Sequence, residues 1–223
     1  MKTTVLYLVR HGAVYSRSGK TFIGQLNLPL SPEGVHQARA LRHWLEPVRF
    51  DHVFSSDLLR AQQTCRIVSG GDLFETLPSL REISLGEWEG CTFDEIERRF
   101  PGEFAERGKD IENCRPPGGE SFVDCLARVM DGLQKILSRA HGNVLLVGHA
   151  GVNRLILSDV LGIPIARLHR LGQDYGCLNV IDYSRNKARL QLVNFTPSPA
   201  ADRTPHDAQA GIAAGMGKVN LYG

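Results

Sequence analysis

The sequence predicts a three-layer α/β domain: a mostly parallel sheet flanked by helices on both sides. Three observations carry this. Val5-Leu6-Tyr7-Leu8-Val9 is a short apolar run without helical period that stops at Arg10-His11-Gly12, which reads as a strand buried on both faces. Asn143-Val144-Leu145-Leu146-Val147-Gly148-His149 repeats the theme. Between and around these runs, strand-like and helix-like stretches alternate, and right-handed crossovers turn such an alternation into a parallel sheet.

Taken in order, the first strand ends at Gly12, read as a sharp turn, and a polar, basic loop (Ser16, Arg17, Ser18, Gly19, Lys20) follows. Ser31 is a good N-cap and Pro32 suits the first helical position, so a helix is predicted from there to about Glu46, where Pro47 stops it. Asp51–Ser56 reads as a second strand. Ser56-Asp57 is read as opening a helix that runs to Val68 and ends at Ser69-Gly70-Gly71. From Phe74 to Gly119 the pattern loosens, apart from a short helix capped by Thr92, and residues 83–119 are read as an insertion over the sheet edge, a lid. Glu120 to Ala140 is a long helix and Ala150 to Leu161 another. Cys177–Asp182 and Ala188–Phe195 read as strands joined by the turn Ser184-Arg185-Asn186-Lys187. One domain therefore spans residues 1–195. From residue 196 to 223 Pro, Ala, Gly and isolated charges dominate, with too little to bury, and a disordered or loosely docked tail is expected.

The totals exclude several classes. Of 223 residues 42% are hydrophobic and 22% charged, ordinary for a globular protein. A net charge of +2 with no Lys/Arg block gives no support for nucleic acid. No apolar run approaches the roughly 18 residues of a membrane span. Met1-Lys2-Thr3-Thr4 leads straight into the first strand, so no signal peptide is expected. Five cysteines without a Cys-x-x-Cys pair read as free thiols, and the expected location is cytoplasmic. The oligomeric state is open, a homodimer included.

Parallel strands place His11 and His149 on one sheet edge, the carboxyl edge, where open α/β sheets build ligand sites. Arg60, in the first turn of the helix after the second strand, points to that edge, and Glu82 lies in the irregular stretch that crosses above it. Two imidazoles, two guanidiniums and one carboxylate suit phosphoryl transfer. A neutral imidazole attacks phosphorus, arginines hold the non-bridging oxygens, and an acid protonates the leaving alkoxide. Zinc is the competing reading. The chain lacks a His-x-x-x-His or paired-Cys spacing, and the arginines argue against a metal. No metal or cofactor is expected, and the expected partner is a small-molecule phosphate ester.

The chain resembles the histidine phosphatase superfamily, with its phosphoglycerate-mutase-like fold. The residues that carry the resemblance are Arg10-His11-Gly12; Leu30-Ser31-Pro32-Glu33-Gly34 with Gln37-Ala38; Ser55-Ser56-Asp57 with Arg60-Ala61 and Thr64; Leu80-Arg81-Glu82 with Gly86 and Trp88-Glu89-Gly90; Pro117-Gly118-Gly119-Glu120-Ser121; and Gly148-His149-Ala150-Gly151-Val152. The resemblance implies phosphorylation of His11, a phosphate pocket of Arg10, Arg60 and His149, and proton donation by Glu82. Two departures stand out: Ala13 replaces the Glu of many relatives, and Arg17 replaces an Asn that touches phosphate in the mutases. Arg17 either adds a cation to the pocket or is solvated. Within the superfamily the chain is most similar to the α-ribazole-phosphate phosphatases of cobalamin assembly, through Phe22-Ile23-Gly24-Gln25 with Pro29-Leu30, Gly86-Glu87-Trp88-Glu89, and Asp174-Tyr175-Gly176-Cys177-Leu178-Asn179-Val180-Ile181-Asp182. Gly24 is accordingly read as part of the substrate site. A phosphohistidine phosphomonoesterase acting on α-ribazole 5′-phosphate is therefore expected. A broad-specificity phosphatase, a phosphoglycerate mutase and an inactive phospho-ligand-binding module are the alternatives. Arg81 and Arg115 either reach substrate or are structural, and the other histidines and Ser55 and Ser56 are read as structural or surface residues. Trp88 either floors the pocket or packs the lid, and Ser121 is a helix cap or a pocket hydroxyl.

Overall fold

The computed structural model describes residues 3–15, 21–183 and 188–197. Arg17, the Ser184–Lys187 turn and residues 198–223 of the expected tail lie outside the described residues. In chain order the strands are β1 (Thr4–Arg10), β2 (His52–Ser55), β3 (Glu75–Thr76), β4 (Gly142–Gly148), β5 (Leu178–Asp182) and β6 (Arg189–Phe195). The helices are α1 (Pro32–Trp44), α2 (Leu59–Ser69), α3 (Phe93–Arg99), α4 (Glu103–Lys109), α5 (Phe122–Arg139) and α6 (Ala150–Leu161). The six strands form one sheet in the order β3-β2-β4-β1-β5-β6. β1 to β4 run parallel and β5 and β6 antiparallel to their neighbours.

The alternation of side chains along a strand explains the three layers. Leu6 and Leu8 of β1 and Val144 and Leu146 of β4 pack with Val129, Leu133 and Ile136 of α5 and Leu155 of α6. Tyr7, Val9, Leu145 and Val147 face the other way, onto Ala38 and Leu41 of α1 and Ala61 and Cys65 of α2. Both faces of the central strands are thus covered by helices, which is why their sequences are continuous apolar runs. The five cysteines are unpaired. Among the described residues no helix is long and apolar enough to cross a membrane.

Local chemistry sets the helix ends. Ser31 caps α1, its hydroxyl accepting from Gly34 N at 3.1 Å. Thr92 and Ser121 each form a reciprocal capping box, with Glu95 and Asp124, so Ser121 is a helix cap. α2 starts at Leu59, later than the predicted Ser56-Asp57. Ser56 Oγ accepts from Leu58 N at 3.3 Å in a tight turn, the Asp57 carboxylate is taken by Arg81, and Leu59 N donates instead to Asn27 Oδ1 at 2.7 Å. α4 has no counterpart in the sequence reading. It joins an aromatic cluster in which Phe104 packs against Phe22, Trp88 and Phe93.

β5 runs antiparallel because of where it starts. The chain reaches the carboxyl edge of the sheet at Asp174–Cys177 and turns there, with Cys177 N on Asp174 O and Gly176 N on His11 O, both 3.1 Å. A strand beginning at that edge must run away from it. The same turn sets Tyr175 against the end of β1.

Candidate active site

β1 and β4 pair in parallel with Arg10 opposite Gly148, so His11 and His149 leave the sheet at the same level. His11 N donates to Gly148 O at 3.1 Å, which joins the two strand ends. The backbone after His11 is held from three sides. Gly12 N donates to Thr64 Oγ1 (3.1 Å), Ala13 N to Gln37 Oε1 (2.8 Å), and Ala13 O accepts from Ser31 N (2.9 Å). Gly12 has no left-handed backbone angle, so the expected sharp turn is not the reason for a glycine here. Close approach is the reason: a Cβ on Gly12 would strike the backbone of Gly34, and one on Gly34 the backbone of Ala13.

His11 is buried, and its Nδ1 lies 2.7 Å from the Gly12 carbonyl. A carbonyl only accepts, so Nδ1 carries the proton and Nε2 keeps its lone pair. Arg60 Nε donates to that lone pair at 3.1 Å. Arg60 is itself almost wholly buried, with Nη1 on Leu26 O (2.6 Å) and Nη2 on Gly24 O (2.7 Å). Gly24 takes a left-handed φ of 50°, and a Cβ there would collide with the Glu89 carboxylate. Arg10 Nη1 donates to Gln173 O at 2.5 Å, its guanidinium lies 3.7 Å from the Tyr175 ring centroid, and its Nε is buried without a partner. Among the described residues neither Arg10 nor Arg60 has a carboxylate within ion-pair distance. Two cations held this way, one of them buried, make a place for an anion.

His149 is fully buried with both ring nitrogens unpartnered, its ring centroid 5.1 Å from that of His11. Buried polar atoms are nearly always bonded, and the structure sets the His149 ring beside His11 without bringing it into the lining of the cavity that His11 shares with Arg10 and Arg60. Glu82 reaches the start of α6, where Gly151 N lies 3.1 Å from both carboxylate oxygens and Ile83 N donates to Oε1 at 3.0 Å. Arg10, His11, Gly24, Arg60 and Glu82 line one cavity of about 360 Å³. Its outer wall is largely apolar, with Phe22, Ile23, Ile83, Leu85 and Phe122, and carries three polar side chains, Thr21, Arg154 and Tyr175. The sequence reading passed over all three. Tyr175 had a signal in its motif next to Cys177. Arg154 had none, being one of several polar residues in a mostly apolar helix.

Other predicted positions resolve simply. Trp88 is buried and packs edge-on against Phe22, which favours lid packing over a pocket floor. Arg81 is taken by Asp57 and Arg115 by Asp124.

Burial holds both His11 and His149 well below the ordinary imidazole pKa, reinforced by the nearby Arg60 and Arg10, and for His149 also by His11. Both rings are therefore neutral at pH 7. An unfolded chain takes up these protons near its ordinary pKa of about 6.5, while the folded chain does not. Stability is thus full above about pH 6.5 and falls as the pH drops below it, by up to about 1.4 kcal/mol per pH unit per histidine. Denaturant titrations at a series of pH values should show this acid slope in the wild type and a shallower slope in His149→Gln. Equal slopes would mean that His149 titrates normally.

The profile of the histidine phosphatase superfamily (branch 1) matches residues 6–196. The adenosylcobalamin/alpha-ribazole phosphatase of Salmonella typhimurium is 32% identical over 196 residues, covering 85% of this chain and 95% of that protein. Among solved structures, the alpha-ribazole phosphatase from Shigella flexneri superposes with a TM-score of 0.80 at 27% identity, covering 89% of this chain and 100% of its own. A mycobacterial glucosyl-3-phosphoglycerate phosphatase gives 0.77 at 27% identity, covering 87% and 100%. The profile match over nearly the whole described chain and the shared phosphatase fold agree with the paired histidines and their arginines: this chain belongs to the histidine phosphatase superfamily.

Proposed function

We propose that the protein is a metal-independent phosphomonoesterase that works through a phosphohistidine at His11 and hydrolyses α-ribazole 5′-phosphate. The observation that carries the mechanism is the buried, neutral His11, its Nε2 lone pair on Arg60 Nε with the Arg10 guanidinium nearby, neither arginine being ion-paired to a carboxylate among the described residues. An entering phosphoryl group takes over the Arg60 Nε–H now given to Nε2, and its oxygens also meet Arg10 and the free ring of His149. Nε2 then forms a bond to phosphorus as the ester P–O bond breaks, and Glu82 passes a proton to the leaving oxygen. Water attacks the phosphohistidine, the N–P bond breaks, and the Glu82 carboxylate takes the water proton. The guanidiniums supply the charge stabilisation that this transition state requires.

The outer wall supports the substrate class. Phe22, Ile23, Ile83, Leu85 and Phe122 suit a flat aromatic ring better than a small carboxylic acid, and the Salmonella relative is named for alpha-ribazole. Residues 83–119 act as the lid over this wall, with Leu85 lining it and Phe104 backing Phe22. The test is a kcat/KM panel of α-ribazole 5′-phosphate, sugar phosphates, nucleotides and phosphoglycerates. α-Ribazole 5′-phosphate is expected to lead by about tenfold or more, the size of effect that shape-matched apolar contacts give. Equal rates would leave a broad-specificity phosphatase, and activity only with a bisphosphorylated primer a mutase.

A further inference from the structure

Glu82 sits in a stretch with no regular structure of its own, between the 3₁₀ turns Pro78–Leu80 and Gly86–Trp88. Neither a helix nor a strand ladder fixes its backbone, yet a proton donor must be placed to within a fraction of an ångström. One side chain from another element meets that need. Arg128, on the buried side of α5, donates from Nη1 to Ser79 O (2.9 Å) and Arg81 O (2.7 Å), and from Nη2 to Glu82 O (2.9 Å). Its remaining donors form a two-pronged pair with Glu120, Nε on Oε1 and Nη2 on Oε2, both 2.7 Å. Glu120 Oε2 in turn accepts from Ser84 N at 2.8 Å. All five guanidinium N–H groups are used. The pair grips the backbone on both sides of Glu82, and Gln25 Nε2 adds a third grip on Glu82 O at 2.9 Å.

We propose that Arg128, seated by Glu120, is the positioning residue that sets the Glu82 carboxylate for proton transfer to the leaving group. This rests on the reading of Glu82 as that donor. A role in folding alone would not need grips on the carbonyls of Ser79, Arg81 and Glu82 and, through Glu120, on Ser84 N, all around one carboxylate-bearing residue. Lysine cannot reproduce the clamp, because a point charge lacks the planar fork.

The test compares kcat/KM for two esters, because kcat/KM reports phosphoryl transfer to His11 without the later hydrolysis of the phosphoenzyme. The 4-nitrophenyl phosphate leaving group departs without a proton; that of a simple alkyl phosphate requires one. In Arg128→Met the alkyl ester is expected to lose about tenfold or more, a part of what a positioned general acid contributes. The nitrophenyl ester should change by less than about twofold. Glu82→Gln should show the same split more steeply, and Arg128→Lys an intermediate one. If Arg128→Met does not fold, Glu120→Gln and Arg128→Lys decide, each checked by its thermal transition. Equal losses on both esters, or no loss on either, in folded variants overturn the clamp. A Glu82→Gln without the split overturns the donor reading itself, and the two failures are told apart by that variant.

Discussion

His11→Ala is expected to lower the hydrolysis of every phosphate ester by about 10⁴-fold or more, the scale on which deleting a covalent nucleophile acts. The loss should be one of chemistry and not of fold. The ring ends at the cavity, so its removal enlarges an existing space and leaves the core intact. The Arg60 Nε that donated to the ring then faces that cavity and can be met by water or phosphate. The variant should therefore keep its thermal transition and still bind inorganic phosphate. Brief mixing with radiolabelled substrate and an alkaline quench, which preserves phosphohistidine, should label the wild type and leave His11→Ala blank. Retention of even about a tenth of the activity would sink the phosphohistidine mechanism.

Arg60→Met should be the next most damaging change, about 10² to 10³-fold in kcat/KM, as when one preorganised donor to a developing anion is removed. It should also cost stability, unlike the change at His11. The buried Gly24 carbonyl loses its guanidinium donor, whereas Leu26 O keeps the bond from Leu28 N, and a buried polar group left unpaired costs about 1–3 kcal/mol. A third effect has a definite sign. Arg60 helps to hold the His11 pKa down, so its removal lets that pKa rise. The acid limb of the pH–kcat/KM profile should move to higher pH. A loss of activity with an unmoved acid limb would show that the guanidinium does not tune the nucleophile.

The fold and the catalytic end of the site were legible because they depend on short-range rules. An apolar run buried on both faces and ending in Arg-His or Gly-His identifies a central strand and its carboxyl edge, and the level pairing of Arg10 with Gly148 follows from two parallel strands of like length. Caps at Ser31, Thr92 and Ser121 announce themselves by residue type. The start of α2 was misread because its first N–H bonds to Asn27, which no local pattern reveals. Arg128, and the role of Glu120 within its motif, were missed for the same reason. Their partners, Ser79 to Ser84, are 36 to 49 residues away in sequence. An arginine in an amphipathic helix reads as a solvated charge until the loop it grips is placed beside it. α4 was invisible because its aromatic contact, Phe104, packs onto residues of three other segments.

The seam between Gly12 and Gly34 bears on how such a protein can change over generations. Main chain touches main chain there, with no side chain in between, and His11 is one residue away. Its backbone is held by that contact together with Thr64 and Gln37, none of which belongs to the outer wall. Substitutions in the aromatic wall, at Phe22 or Phe122 or within residues 83–119, can reshape what the cavity admits without moving His11. A lineage can thus acquire new substrates by drift in the outer wall while the reaction stays the same, and the two glycines are the positions where drift is forbidden.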